Sequence, residues 1–168
     1  MKIAASLLAI AVALAVQTTL ASIVIRGTAA LDLVLIVVVY LSLISGPVSG
    51  VLLGSAAGLV QDALSSGVIG IGGLAKTLVG FLAGFLGSQF ILTSPLSRFV
   101  VFVLATLLHA AVFMGLYTLL ELRQFDSPWA VIMSQALGNG FLGVVGSQLV
   151  ELLPGLRDRR KTRRAVRP

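Results

Sequence analysis

Apolar runs about twenty residues long, separated by short polar or glycine-rich breaks, make up most of the chain. A run of that length crosses the hydrocarbon core of a bilayer as a single α-helix. Of the 168 residues, 58% are hydrophobic and 11% are charged, whereas a soluble domain is about 45–50% apolar. A soluble fold of this size has too little interior to bury that surface. The sequence therefore predicts an all-α membrane protein.

The breaks divide the chain into six predicted transmembrane helices. Gly46 and Pro47 split a run that is too long for one span, because proline cannot continue a helix but readily begins one. Segment 65–73 is rich in glycine and serine and predicts a loop. The first run also resembles a signal peptide, but it exceeds the usual apolar region of about 7–15 residues, so we expect it to be retained. The predicted helices cover residues 3–25, 31–45, 47–64, 74–92, 97–122 and 129–153.

Positive charge is concentrated in the last twelve residues. Seven of the 12 basic residues but only one of the 6 acidic residues lie there, so this tail carries the whole formal net charge of +6. Basic residues favour the cytoplasmic side of a membrane, which predicts a six-span domain, residues 1–156, and a cytoplasmic tail, residues 157–168. The tail is expected to contact membrane lipids or a protein partner, and nucleic acid is not indicated. Its basic residues are Arg157, Arg159, Arg160, Lys161, Arg163, Arg164 and Arg167.

Glycines recur at four-residue intervals along the third and fourth predicted helices. Helices that lack side chains at their contact approach each other closely, and dispersion contacts then hold them together in lipid, where the hydrophobic effect is absent. The spacing therefore predicts tight helix packing. The glycines concerned are Gly46, Gly50, Gly54 and Gly58 in the third helix, and Gly80 and Gly84 in the fourth.

Two charged residues flank the loop between these helices. In an antiparallel pair, Asp62 and Lys76 lie at similar depth near the outer face. A charge in or near a membrane is costly, so it is at the surface, paired or functional. We therefore predict an Asp62–Lys76 ion pair, or a site for a partner or ligand. The alternative is that Asp62 is hydrated and that Lys76 extends to the lipid headgroups.

Isolated polar residues elsewhere in the apolar runs predict a buried polar cluster. Hydrogen bonds between helices are worth about 0.6–2 kcal/mol each in lipid, and the alternatives are a small polar pocket or a proton relay. The chain has one histidine and no cysteine, so we expect neither a metal site nor another cofactor. No catalytic motif occurs, and the sequence does not indicate an enzyme. The predicted members of the cluster are Gln17, His109, Gln135 and Asn139.

Five short motifs between residues 32 and 84 occur in an order and spacing that one family shares. They are Asp32-Leu33, Gly46-Pro47, Gly58-Leu59-x-x-Asp62, Gly67-x-x-Gly70 and Leu78-Val79-Gly80-x-x-Ala83-Gly84. With these motifs and six predicted spans, the chain resembles MreD, the rod shape-determining membrane protein family of bacteria.

The resemblance implies a non-enzymatic scaffold or regulatory subunit of the cell-elongation complex, which controls rod shape and peptidoglycan synthesis at the bacterial inner membrane. The implied partners are an MreC-like single-span protein, the actin-like MreB and the RodA–penicillin-binding-protein pair. The implied fold resembles the six-helix substrate-binding component of energy-coupling-factor transporters. That likeness leaves an alternative function open, namely the substrate-binding membrane component of a vitamin-type transporter.

The charge distribution makes the topology testable. We predict that both termini are cytoplasmic, because the basic tail is retained inside and an even number of spans places Lys2 on the same side. Reporter fusions at Met1 and at Pro168 measure the side of each terminus. A periplasmic signal from Pro168 contradicts the topology, and a periplasmic signal from Met1 alone indicates five spans.

Overall fold

The computed structural model describes residues 2–23, 31–65, 68–92, 94–122 and 129–152. These residues form six α-helices and no β-strand, so the predicted all-α fold with six helices is confirmed for this part of the chain. The basic tail lies outside the described residues. The helices are α1 (Lys2–Ile23), α2 (Leu33–Ser45), α3 (Pro47–Leu64), α4 (Ile71–Gln89), α5 (Pro95–Leu119) and α6 (Trp129–Leu152).

Four of the helices, α3 to α6, are long and apolar enough to cross a membrane. Helix α2 and the segment Ala5–Thr19 of α1 are apolar but shorter. At 1.5 Å per residue, the 13 residues of α2 extend about 20 Å, less than the ~30 Å thickness of the hydrocarbon core. The length of α2 therefore sets it apart from the four long helices.

The helix bounds agree with the prediction for α3 but not for the start of α4. Helix α4 begins at Ile71, so the predicted loop 65–73 is wrong for its last three residues. The backbone N–H groups of Gly70 and Gly73 donate to the Asp62 carboxylate over 2.8 and 3.0 Å. Because α3 supplies this cap, the glycine-rich segment enters the first turn of α4 despite its low helix propensity.

Helix α2 is the central element, and it contacts each of the other five helices. One of its faces contributes Val34 and Val38 to a core shared with α1 and α3, and this core includes Leu14 and Ala57. The neighbouring face, about 100° round the helix, contributes Leu35 and Val39 to a second core, which α4 and α5 complete with Val79, Ala83, Phe102 and Ala105. An apolar helix that is buried on both faces is typical of the middle of a bundle.

Helices α3 and α4 meet backbone to backbone. A Cβ atom added at Gly50 would overlap the carbonyl oxygen of Gly80, and one added at Gly54 would overlap that of Lys76. A Cβ atom at Gly58 would lie 2.5 Å from the Cα atom of Gly73, which is too close for non-bonded atoms. No larger side chain fits along this contact without separating the helices.

The other two predicted packing glycines meet where α4 packs against the turn between α2 and α3: Gly46 is in the turn and Gly84 is in α4. A Cβ atom on Gly84 would lie 2.5 Å from the Gly46 carbonyl oxygen. Gly46 itself has open space where a Cβ atom would be, but its φ of +94° is one that other residues rarely adopt. It therefore serves the turn through its backbone conformation, whereas Gly84 serves close packing.

The glycine contact predicts unequal effects for the same substitution at two helical positions. Gly54→Ala should lower the free energy of unfolding by about 1–3 kcal/mol or more, because its methyl group meets backbone that cannot move independently. Gly146→Ala is the matched control: nothing lies within 4 Å of its added Cβ atom, and alanine gains up to ~1 kcal/mol in helix propensity. Thermal melting in one detergent measures both variants, and equal melting temperatures contradict the prediction.

Candidate functional site

The first residue of the site, Asp32, precedes α2 and lies inside the bundle. Its backbone N–H donates to Oδ1 of Asn139 over 3.1 Å, and both residues are buried. Asn139 lies about 15 Å along α6 from Trp129, at 1.5 Å per residue. Helix α2 therefore begins level with the middle of α6, where its first N–H groups have no partners within the helix and no bulk water replaces them.

Side chains from two helices and from the cap residue itself bond the N–H groups at this end of α2. Oε1 of Gln17, on α1, accepts from the backbone N–H of Val34 over 3.1 Å. Oδ1 of Asp32 accepts from Leu35 over 2.9 Å, which is the usual contact of an N-cap aspartate. Asn139 contributes from α6 as described above. The start of α2 is thus satisfied by hydrogen bonds that depend on tertiary packing.

The second carboxylate oxygen of Asp32 binds a buried lysine. Nζ of Lys76, on α4, lies 2.7 Å from Oδ2 of Asp32, and both side chains are almost completely buried. The same nitrogen lies 3.1 Å from Nε2 of His109 on α5. A buried unpaired charge is strongly unfavourable, so the carboxylate and the ammonium are each tolerated because the other is present.

Thr106 connects α5 to α6 beside this pair. Nδ2 of Asn139 donates to its hydroxyl oxygen over 3.2 Å, and that hydroxyl donates to the backbone carbonyl of Phe102 over 2.9 Å. Through these bonds α2, α4, α5 and α6 are joined at one level of the bundle. We call the six residues concerned the buried polar cluster: Gln17, Asp32, Lys76, Thr106, His109 and Asn139.

The predicted ion pair between Asp62 and Lys76 is wrong, because Lys76 pairs with Asp32. The carboxylate of Asp62 instead caps the start of α4, where the N–H groups of Gly70 and Gly73 meet the negative charge. The sequence placed Asp62 and Lys76 at similar depth, but it did not show that they point in different directions. A role of Asp62 for a partner or ligand stays a prediction.

Gly72, in the first turn of α4, leaves space for the Asp62 carboxylate. A Cβ atom at this residue would overlap Oδ1 of Asp62. The carboxylate reaches the N–H groups of α4 because no side chain occupies that space.

Three of the four residues predicted as a polar cluster lie at the start of α2. Gln17 and Asn139 bond its backbone, and His109 contacts Lys76. Gln135 is half-buried, one turn nearer the start of α6. Sequence reasoning missed Asp32 and Thr106 as members, and it assigned Lys76 to a pair with Asp62 instead. An acidic residue directly before an apolar helix is an N-cap signal, which could have identified Asp32.

A second charged cluster, also not predicted, joins the start of α5 to the end of α6. Arg98 is buried, and its Nε donates to the carbonyl of Leu92 over 3.1 Å. Its Nη1 donates to Oγ of Ser147 over 3.3 Å, and its Nη2 lies 2.7 Å from Oε1 of Glu151. All three guanidinium nitrogens are therefore used within the bundle.

Aromatic rings extend from the buried polar cluster towards the loop between α3 and α4. His109 stacks on Phe113 with ring centroids 5.8 Å apart, and Phe113 contacts Tyr117 at 4.7 Å. The Tyr117 hydroxyl oxygen accepts from the backbone N–H of Val68 over 3.2 Å. This column of α5 residues links the level of Lys76 to the loop. In the described parts of the chain, no three His, Cys, Asp or Glu residues are grouped as a metal site.

The ion pair predicts a specific pattern in a double-mutant cycle. Asp32→Asn and Lys76→Met should each lower the free energy of unfolding by about 3–5 kcal/mol, because each leaves an uncompensated buried charge. The double variant should lose less than the sum of the two. Chemical or thermal unfolding in detergent measures all three proteins.

Asp62→Asn is the matched control for this cycle. Asparagine keeps an oxygen that accepts at the start of α4, so the loss should be smaller than for Asp32→Asn. Combined with Lys76→Met, it should be additive within about 0.5 kcal/mol. Coupling of Lys76 to Asp62, and not to Asp32, contradicts the assignment.

Comparison with known proteins bears on the whole bundle. A family model described as rod shape-determining protein MreD matches residues 1–153, a range that contains all six helices and every member of the buried polar cluster. The comparisons with curated proteins and with solved structures gave no match. The family match confirms the resemblance of the motifs between residues 32 and 84. The chain belongs to the MreD family of rod shape-determining membrane proteins.

Proposed function

We propose that this protein is a non-enzymatic scaffold or regulatory subunit of the bacterial cell-elongation complex. The observation that carries the proposal is the family match over residues 1–153. In this role the protein binds an MreC-like single-span partner and, with MreB and the RodA–penicillin-binding-protein pair, supports peptidoglycan synthesis along the cell length. MreD is a shape-determining family and not a known enzyme family.

The buried charged residues bond other residues of the bundle, which supports a scaffold role. Lys76 bonds Asp32 and His109, and Arg98 bonds Ser147, Glu151 and a backbone carbonyl. These groups hold helices to one another. A bundle with bonded interior charges and an apolar exterior suits the positioning of other membrane proteins, because association in lipid depends on shape and close packing.

The proposal includes six spans in the inner membrane, with both termini in the cytoplasm. The support is the basic tail, residues 157–168, and the positive-inside rule. In this topology the starts of α2 and α4 point outward, so the buried polar cluster belongs to the outer half of the bundle. The short α2 then begins below the outer surface, consistent with its bonds to the middle of α6.

The buried polar cluster also favours one second candidate, the substrate-binding component of a small-molecule transporter. Its support is the convergence of charged and hydrogen-bonding groups from Asp32, Lys76 and His109 between apolar helices, a feature that ligand sites share. The proposed resemblance of the fold to energy-coupling-factor substrate-binding components belongs to this alternative. The two candidates differ in what the purified protein should retain.

The decisive experiment combines complementation with purification. In rod-shaped cells depleted of their own MreD, the wild-type chain and Gly146→Ala should restore rods. Gly54→Ala should restore them less well, because a destabilised bundle accumulates to a lower level. Affinity purification in mild detergent should retain an MreC-like single-span protein. Round cells despite a folded, membrane-inserted wild-type protein contradict the proposal. Copurification of an ATPase module with a bound small molecule favours the transport alternative.

A tail variant distinguishes a tail that binds a cytoplasmic partner from one that only contacts lipid. Replacing the seven basic tail residues with glutamine leaves the helices of the bundle unchanged. If the tail binds a cytoplasmic partner, the variant should keep its melting temperature and its MreC-like partner but should lose rod shape. If the tail only contacts lipid, rod shape should persist when topology is unchanged.

A further inference from the structure

The contact between Lys76 and His109 restricts the protonation state of the histidine. Nζ of Lys76 lies 2.7 Å from Oδ2 of Asp32 and 3.1 Å from Nε2 of His109. A lysine ammonium has donors and no acceptor. Nε2 must therefore accept a hydrogen bond, which requires a neutral imidazole with its proton on Nδ1.

Among the described residues, the charged group in hydrogen-bond contact with His109 is the ammonium of Lys76. That ammonium, on α4, also contacts the carboxylate of Asp32, the residue that caps the start of α2. From α6 the uncharged Asn139 bonds Thr106, which lies three residues before His109 on α5, and the ring of Phe113 stacks on His109. The described acid of α6, Glu151, pairs with Arg98.

Protonation of His109 would place an N–H group against an ammonium 3.1 Å away. Two positive charges at that separation repel each other strongly where the dielectric constant is low. The Lys76–His109 bond and the imidazolium therefore exclude each other. Since Lys76 also holds Asp32, which caps α2, a displacement of Lys76 disturbs the buried start of that helix.

We propose that His109 is a proton-sensitive switch on the start of α2. When His109 is neutral, it accepts from Lys76 and the buried polar cluster is closed. When His109 takes up a proton, Lys76 moves away and the bonds between α2, α4 and α5 weaken. This inference concerns the bundle itself, so it stands or fails independently of the role in cell elongation.

The first test reads the tautomer directly. His109 is the single histidine of the chain, so a protein labelled with ¹⁵N-histidine gives nuclear magnetic resonance signals that need no assignment. At neutral pH the expected spectrum shows a protonated Nδ1 and an unprotonated Nε2. A protonated Nε2 in the folded protein overturns the proposal.

The second test compares the pH dependence of melting with a variant that cannot titrate. His109→Gln is the matched change, because the glutamine side-chain oxygen reaches about as far as Nε2 and still accepts from Lys76. Histidine ordinarily changes charge between about pH 8 and pH 5. Over that range the melting temperature of the wild type should fall by at least about 2–4 °C more than that of the variant. The direction follows from linkage, since a proton that binds only the open form favours opening as the pH falls.

Equal pH profiles for the wild type and His109→Gln overturn the proposal, because the remaining acids are common to both proteins. If His109→Gln does not fold, the spectrum of the wild type decides. A neutral ring that gains its proton only together with the loss of native signals supports the switch. A ring that becomes protonated while the native signals persist overturns it.

Discussion

The backbone N–H groups at the start of α2 lie in the interior of the bundle, and other helices supply the atoms that bond them. Gln17 from α1 and Asn139 from α6 accept from this backbone, and Asp32 accepts from the first turn. The Asp32 charge in turn requires Lys76 from α4. A membrane interior offers no water to replace these partners. The start of α2 therefore needs α1, α4 and α6 around it for hydrogen bonding as well as for packing.

The glycine contact between α3 and α4 positions Lys76 beside Asp32 at the start of α2. The carbonyl oxygen of Lys76 lies against Gly54, while its side chain points to Asp32 and His109. The cap from Asp62 fixes where α4 begins, so it also fixes the depth of Lys76 in the bundle. The backbone of α4 thus serves the contact with α3, and its side chains serve the contact with α2 and α5.

Charged pairs hold helices together at two places in the bundle. The Asp32–Lys76 pair joins α2 to α4, and Arg98 joins α5 to the end of α6. Asp32, Lys76 and Arg98 are buried in the folded chain. Large apolar side chains are exposed on its outside, among them Val48, Phe85, Phe141 and Leu149. This distribution fits a protein of a membrane-spanning family.

The sequence by itself determined the helical class, the number of helices and the family. It also determined the bounds of α3, because Gly46-Pro47 and the loop glycines are local signals, and it identified the glycines that permit close backbone contact. It placed Gln17, His109 and Asn139 among the polar residues that bond between helices. Only the tertiary structure decided that Lys76 pairs with Asp32 and that Asp62 caps α4. Helical spacing gives depth at 1.5 Å per residue, whereas the partner of a side chain depends on how each helix is rotated and which neighbour lies across from it.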